Sequence, residues 1–276
     1  MTISVIIPAC DAHATLPRAL ASVLQQTDAD WEAIIVSDDQ CDYASFLAAK
    51  GLRDDRFRFA STGLTRSGCH HARNLGFDYI SGSYVTQLDA DDELDKNRFS
   101  TLKPLALRYG AAADNLLMIE DETGARIGTV LSDGCADVTL LDLHAFMKLN
   151  APLVPLIRRD HVLPRVKGVE FSEDVIANIQ LIDRIGVLPV TAPSSYIYRI
   201  HRQSMANARG ASERFERGYS DYIKRVETGD GFGLKPDHRL IARDGLITKR
   251  ALNRDYAEAA AKNPQLTFSE FVEGKR

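Results

Sequence analysis

Apolar and polar positions fall into blocks along the first hundred residues. Ser4 to Pro8 (SVIIP) is a β-branched run closed by proline, which predicts a strand buried on both faces. Leu16, Leu20, Val23 and Leu24 then recur at helical spacing, with Pro17 tolerated in the first turn and Thr15 in the cap position. WEAIIVSDD reads as a second buried strand running into acids, and FRFA (57–60) as a short third strand. Residues 68–80 (GCHHARNLGFDYI) read as a helix, and YVTQLDADDELD as a strand ending in a dense acidic turn. Strand and helix alternate, so the fold class is α/β: a mainly parallel sheet flanked by helices. In such sheets ligands bind beyond the carboxyl ends of the strands. Here those ends carry Pro8 to Asp11, Asp38 and Asp39, and Asp89, Asp91 and Asp92.

The second half carries weaker patterns. MIEDETGARIG predicts a hairpin around Thr123-Gly124, LLDLHAFMKLN a helix, and APLVPLIRRD an extended segment. Ser172 to Ile185 predicts a helix with a serine cap and two acids in its first turn; VLPVTAPSSYIYRIH holds one or two strands. From about Ala206 the chain turns basic (Arg209, Arg214, Arg217, Lys224, Arg225), GDGFG at 229–233 reads as a linker, and the last forty residues predict at least one helix. The expected division is 1–205, with halves 1–100 and 101–205, followed by a C-terminal helical extension over 206–276.

Composition removes several function classes. The 276 residues are 45% hydrophobic and 26% charged, an ordinary globular balance. A net charge of −4 and a pI near 6.0 leave no basic field for a polyanion, so no nucleic-acid partner is expected. No apolar run reaches the roughly 18 residues of a membrane span. The N-terminus lacks a basic region and its apolar run stops at Pro8, the pattern of a first strand rather than a signal peptide. Cys10, Cys41, Cys69 and Cys135 show no metal-ligand or CxxC spacing, which fits reduced thiols and a cytoplasmic location.

The strongest local signal for chemistry is Leu88-Asp89-Ala90-Asp91-Asp92. On a strand, residues i and i+2 share a face, so Asp89 and Asp91 would point at one ligand. Two such carboxylates repel unless a cation lies between them, and Mg²⁺ or Mn²⁺ bridges carboxylates to phosphates; a solvated acidic turn before a helix is the competing reading. Asp38-Asp39 would meet a nucleobase or ribose, or simply shape a turn. Asp174 would act as a general base kept ionised by its helix N-terminus, or merely stabilise that helix. His201 would complete a metal site or be a packed histidine; Arg66 and Arg73 would meet a phosphate or solvent. An EF-hand, a P-loop, a dinucleotide fingerprint, GxSxG and HExxH are all excluded by the residues present.

The order of these pieces (VIIPxxx, LQQT, VSDD, ARNLG, YVTQLDADD) resembles the family 2 glycosyltransferases with the GT-A fold, closely over 3–100 and more loosely through SED at 172–174 and YRIHRQS at 198–204. The resemblance implies that Pro8, Ala9 and Asp39 hold a uracil-type base, that Arg66 lies near the nucleotide, and that Asp89 meets the ribose. It implies Asp91 and His201 at a divalent metal (Mn or Mg) on the diphosphate, and Asp174 as the catalytic base. The implied activity is inverting, metal-dependent sugar transfer from a nucleotide sugar, UDP-linked, to a hydroxyl of a glycan or lipid-linked acceptor in polysaccharide biosynthesis. Peripheral contact with the inner face of a membrane and an oligomer are both compatible with it. Two departures stand out: Cys10-Asp11 replace the usual aromatic and asparagine after Pro8, and Gln40 replaces the glycine of an Asp-Asp-Gly-Ser turn, which predicts a different turn conformation. They leave room for an inactive nucleotide-sugar-binding protein or partner subunit. A nucleotidyltransferase is disfavoured, because PACDAHA has neither glycine nor lysine after strand one.

Overall fold

In a computed structural model, which describes residues 1–131, 137–169, 171–201 and 210–275, the chain opens with β1 (Ile3–Ala9), α1 (Leu16–Leu24) and β2 (Trp31–Ser37). There follow α2 (Tyr43–Ala49), β3 (Phe57–Ser61), α3 (Cys69–Phe77) and β4 (Tyr84–Gln87). Strands β3, β2, β1 and β4 lie side by side in that order, all parallel. Neighbouring residues of β1 face opposite ways, and each face has its own helix. Ile3, Val5 and Ile7 pack with Leu16, Leu20 and Val23 of α1 in one core. Ile6 joins Ile34, Val36, Val85 and Ala72 of α3 in a second core. Fully burying each such side chain stabilises the fold by roughly 1.5–3 kcal/mol. Gly76 lets α3 approach this closely: a Cβ there would fall 2.5 Å from Ile6 Cγ2.

The sheet continues into the second half. Beyond the acidic turn come the two-residue β5 (Glu93–Leu94), α4 (Arg98–Tyr109), β6 (Ala111–Glu120) and β7 (Arg126–Thr129), the last two forming the expected hairpin. Next are β8 (Val138–Leu141), α5 (Leu143–Met147), β9 (Leu156–Arg158), α6 (Glu173–Ile185) and β10 (Leu188–Ile200). Strand β9 joins the halves, pairing antiparallel with β4 on one side and β6 on the other. The α/β expectation holds, with a parallel block at one end and a mixed block at the other. A division at residue 100 does not follow the structure, because it cuts α4, and the fully buried Arg98 of that helix pairs with Asp114 of β6 at 3.0 Å.

Helices α7 (Ala211–Thr228), α8 (Pro236–Lys262) and α9 (Phe268–Glu273) complete the chain; the expected boundary at 205/206 lies outside the described residues. GDGFG is not a free linker. Asp230 opens a 3₁₀ turn over Gly231–Gly233, Phe232 is buried, and Gln180 Nε2 of α6 donates to its carbonyl at 2.9 Å. Ser172 does not cap α6: its backbone is left-handed (φ 51°) and its Oγ lies 3.2 Å from the Tyr219 hydroxyl of α7. Thr15 likewise sits at the start of α1 without a side-chain cap bond.

Candidate active site

A cleft of about 1260 Å³ opens at the carboxyl edge of the parallel strands. Pro8, Ala9, Arg66, Asp89, Asp91, Asp174 and His201 all line it, so five separate stretches of chain meet there. Asp39 does not line it. The Asp39 carboxylate accepts from Asp11 N (2.7 Å), the Tyr43 hydroxyl (2.8 Å), Cys41 N (3.0 Å) and Ser37 Oγ (3.0 Å). Burial pushes this carboxyl up, but those donors pull it below its ordinary range. Asp39 therefore anchors the loop after β1 from behind the cleft wall. Its neighbour Asp38 lines the cleft and accepts from Thr62 Oγ1 (2.9 Å), Gly68 N (3.0 Å) and Ser67 Oγ.

The glycine departure has a different outcome from the one the sequence predicts. Gln40 adopts φ 61°, the left-handed region in which glycine is least strained. The turn keeps that conformation, braced by a bridge between Asp39 and Thr65. Asp11 (φ 53°) and Arg66 (φ 55°) are left-handed too, and Arg66 Nη2 donates to Asp11 Oδ2 at 2.5 Å across the exposed mouth of the cleft. The negative charge of Asp11 thus holds the arginine beside the first strand end.

The acidic turn follows a strand that stops at Gln87, so Asp89 and Asp91 owe their common direction to the turn and not to a two-residue repeat. Each acid has a different partner. Asp89 is paired by Arg73 of α3, which also pairs Glu173 of α6. Burial pushes the Arg73 guanidinium down, but Asp89 pulls it up and wins, so it stays charged. Asp91 Oδ2 lies 3.0 Å from His201 Nε2, and that bond raises the imidazole above its usual range. Asp92 is buried, accepting from the Tyr196 hydroxyl and Arg199 N at 2.8 Å each. Burial, then Asp91, then Asp89 push its carboxyl well up. Gln26, just past α1, fixes the far end of the turn by donating to Asp95 O (2.7 Å) and accepting from Phe99 N (3.1 Å).

Asp174 lines the cleft from the start of α6. The helix N-terminus is not the dominant influence on it: burial raises its carboxyl, and Arg165 and Arg73 oppose that rise. Arg165, Lys249 and the C-terminal helices were not legible as parts of the site. Residues 206–276 enter the cleft through Phe215 and Tyr219 of α7, Lys249 and Tyr256 of α8, and Phe268 of α9. The buried Lys249 bonds to Leu149 O, and burial lowers its ammonium to about 8 despite Asp174. Polar residues on a mostly polar helix give no sign of facing a cavity; only packing reveals it.

Asp91 and His201 are two donors, one hard oxygen and one imidazole. Among the described residues no group of three or more His, Cys, Asp or Glu side chains could hold a metal ion. The pair suits an Mg²⁺-like ion that keeps its remaining positions for phosphate oxygens and water, and not an ion caged by protein alone.

A parallel α/β sheet whose carboxyl edge carries an acidic turn, facing a helix-borne carboxylate across one cleft, defines the GT-A class of glycosyltransferase folds. Residues 4–133, just under half of the chain, match the model of "Glycosyl transferase family 2". It is 33% identical over 90 residues to UDP-Glc:alpha-D-GlcNAc-diphosphoundecaprenol beta-1,3-glucosyltransferase WfgD of Escherichia coli, covering 33% of this chain and 35% of that one. It is 34% identical over 122 residues to GalNAc(5)-diNAcBac-PP-undecaprenol beta-1,3-glucosyltransferase of Campylobacter jejuni, covering 44% and 39%. The aligned regions thus span little more than a third of these curated relatives. A longer match, 25% identical over 94% of this chain and 80% of the other, is to the succinoglycan biosynthesis protein ExoO of Rhizobium meliloti. Among solved structures, S. aureus TarS 1–349 in complex with UDP-GlcNAc superposes with a TM-score of 0.68 at 16% identity, covering 92% of this chain and 72% of that one. At that identity the likeness speaks for the fold alone.

Proposed function

We propose that the chain is an inverting glycosyltransferase that moves a sugar from a UDP-linked donor to a hydroxyl of a glycan or lipid-linked acceptor, with a divalent cation on the diphosphate. One observation carries the reading: Asp89 and Asp91 at a strand end and Asp174 on α6 line one cleft with Pro8 and Ala9. The two diphosphoundecaprenol-type relatives support a lipid-linked acceptor, and the UDP-GlcNAc held by TarS supports the donor. Among the described residues no helix is long and apolar enough to cross a membrane, so the enzyme would meet a lipid-linked acceptor peripherally, at the inner face.

In this reading Pro8, Ala9 and Arg66 border the nucleotide, with Asp39 acting through the Asp11 backbone it holds. Asp89, fixed by Arg73, meets the ribose. Asp91 and His201 would hold Mn²⁺ or Mg²⁺, which would supply counter-charge for the departing diphosphate. Asp174 takes the proton of the acceptor hydroxyl as its oxygen bonds to the anomeric carbon and the bond to the diphosphate breaks. A single displacement from the opposite face inverts the configuration. The positive charges of Arg165 and Arg73 favour the ionised form of Asp174 that this step needs, against its burial.

Mn²⁺-dependent release of UDP from a panel of UDP-sugars tests the proposal. Slow release with at least one sugar, abolished in Asp91→Ala, is expected. Tight UDP-sugar binding with no turnover of any donor, with or without lipid-diphosphate saccharides, would instead identify an inactive binding protein.

A further inference from the structure

Arg165 belongs to the second half of the chain but is held by the first. Its backbone N–H donates to Asn74 Oδ1 at 2.7 Å, and Asn74 Nδ2 returns a bond to its carbonyl at 3.0 Å. Its Nη2 donates to Gln87 Oε1, at the end of β4, at 2.5 Å. Three bonds from α3 and β4 thus fix one arginine on the wall of the cleft. The guanidinium has five N–H donors, and the Gln87 bond accounts for one of them. Among the described residues its Nε is buried with no partner. Its charge faces Arg73, Asp174 and Asp89, yet among the described residues no hydrogen bond joins it to either carboxylate. Asp89 is already taken by Arg73.

A half-buried, clamped cation whose remaining donors find no partner among the described residues, beside a second guanidinium, is costly unless something anionic completes it. Burial and then Arg73 lower its guanidinium to about 9. Solvated surface arginines need no such clamp, and a purely structural arginine would spend its fork on Asp174.

We propose that Arg165, set by Asn74 and Gln87, is an anion subsite for a phosphoryl group at the junction of the two halves. This deepens the reading above and rests on it. The phosphoryl group has two sources in that reading: the diphosphate of the donor and the diphosphate of a lipid-linked acceptor.

Calorimetric titration of the full chain with Mn²⁺ separates them, using UDP, uridine and inorganic pyrophosphate as probes. In Arg165→Gln, UDP is expected to bind ~10–100-fold more weakly while uridine is unchanged, which assigns the subsite to the donor. Unchanged UDP affinity, with pyrophosphate binding to the UDP-saturated protein lost in the variant, assigns it to the acceptor. Arg165→Lys keeps the charge without the fork and is expected to fall between; it serves if Arg165→Gln fails to fold. Equal binding of UDP and of pyrophosphate by wild type and variant overturns the subsite. If the wild type binds no UDP, the glycosyltransferase reading fails, and pyrophosphate binding to the ligand-free protein then decides Arg165 alone.

Discussion

Asp91 Oδ2 and His201 Nε2 lie 3.0 Å apart although 110 positions separate them in the chain. The contact closes one edge of the cleft, tying the acidic turn to the end of β10. It also fixes the direction in which Asp91 presents its carboxylate.

If Asp91 is the main cation ligand, Asp91→Ala should cut Mn²⁺-dependent UDP release at least ~100-fold, the scale of losing charge stabilisation at a leaving group. His201→Ala should cost less, because the hard oxygen ligand remains. Both rates are read as a function of Mn²⁺ concentration. Release that survives Asp91→Ala at saturating donor would remove Asp91 from the metal assignment.

Asp174→Asn keeps the shape of the side chain and removes its basicity. Transfer should fall ~10²–10⁴-fold. UDP affinity, measured by calorimetry, should stay near wild type, because the proposed nucleotide and cation contacts fall to Pro8, Ala9, Arg66, Asp89, Asp91 and His201 and not to Asp174. A variant that transfers sugar at the wild-type rate would rule Asp174 out as the base.

Lys249 has a folded-state ammonium lowered to about 8 by burial, against roughly 10.4 in an unfolded chain. Between those values the unfolded state binds more protons, so the stability of the wild type rises with pH there. Relative to Lys249→Met, the wild type should gain about 2 kcal/mol between pH 7.5 and pH 10. Urea unfolding of both proteins at the two pH values isolates this group, because other titrations cancel in the difference. A difference independent of pH would show that Lys249 titrates normally.

Gln40 holds φ 61° where glycine would be nearly free of strain. A left-handed non-glycine residue costs about 1–2 kcal/mol, while glycine gives back roughly 0.5–1 kcal/mol through chain entropy. Gln40→Gly should therefore stabilise the protein by about 0.5–1 kcal/mol, seen as a higher urea midpoint at unchanged slope. A lower midpoint would mean that the weak contacts of the Gln40 amide with Gly63 O (3.5 Å) and Thr65 Oγ1 (3.4 Å) outweigh the strain.

The sequence by itself determined the elements whose signal is local. The apolar runs of β1 and β2, the 3.6-residue spacing of α1 and the acids at strand ends all describe a parallel sheet with its chemistry at one edge. They led to Asp89 and Asp91, while Asp174 came from a helix start and His201 from a predicted strand end, their roles given by the family resemblance; the fold gathers all four into one cleft. Tertiary structure alone decided how those groups are partnered. Asp39 has the same strand-end position as a ligand-facing acid, yet four donors, from β2, α2 and the loops after β1 and β2, turn it into an anchor. Arg165 and Lys249 sit in stretches with no periodic signature, and only packing carries them to the cleft wall. Periodicity reports which side of an element meets the core. It does not report which distant side chain arrives to share a carboxylate, and that sharing sets both charge and geometry at the site.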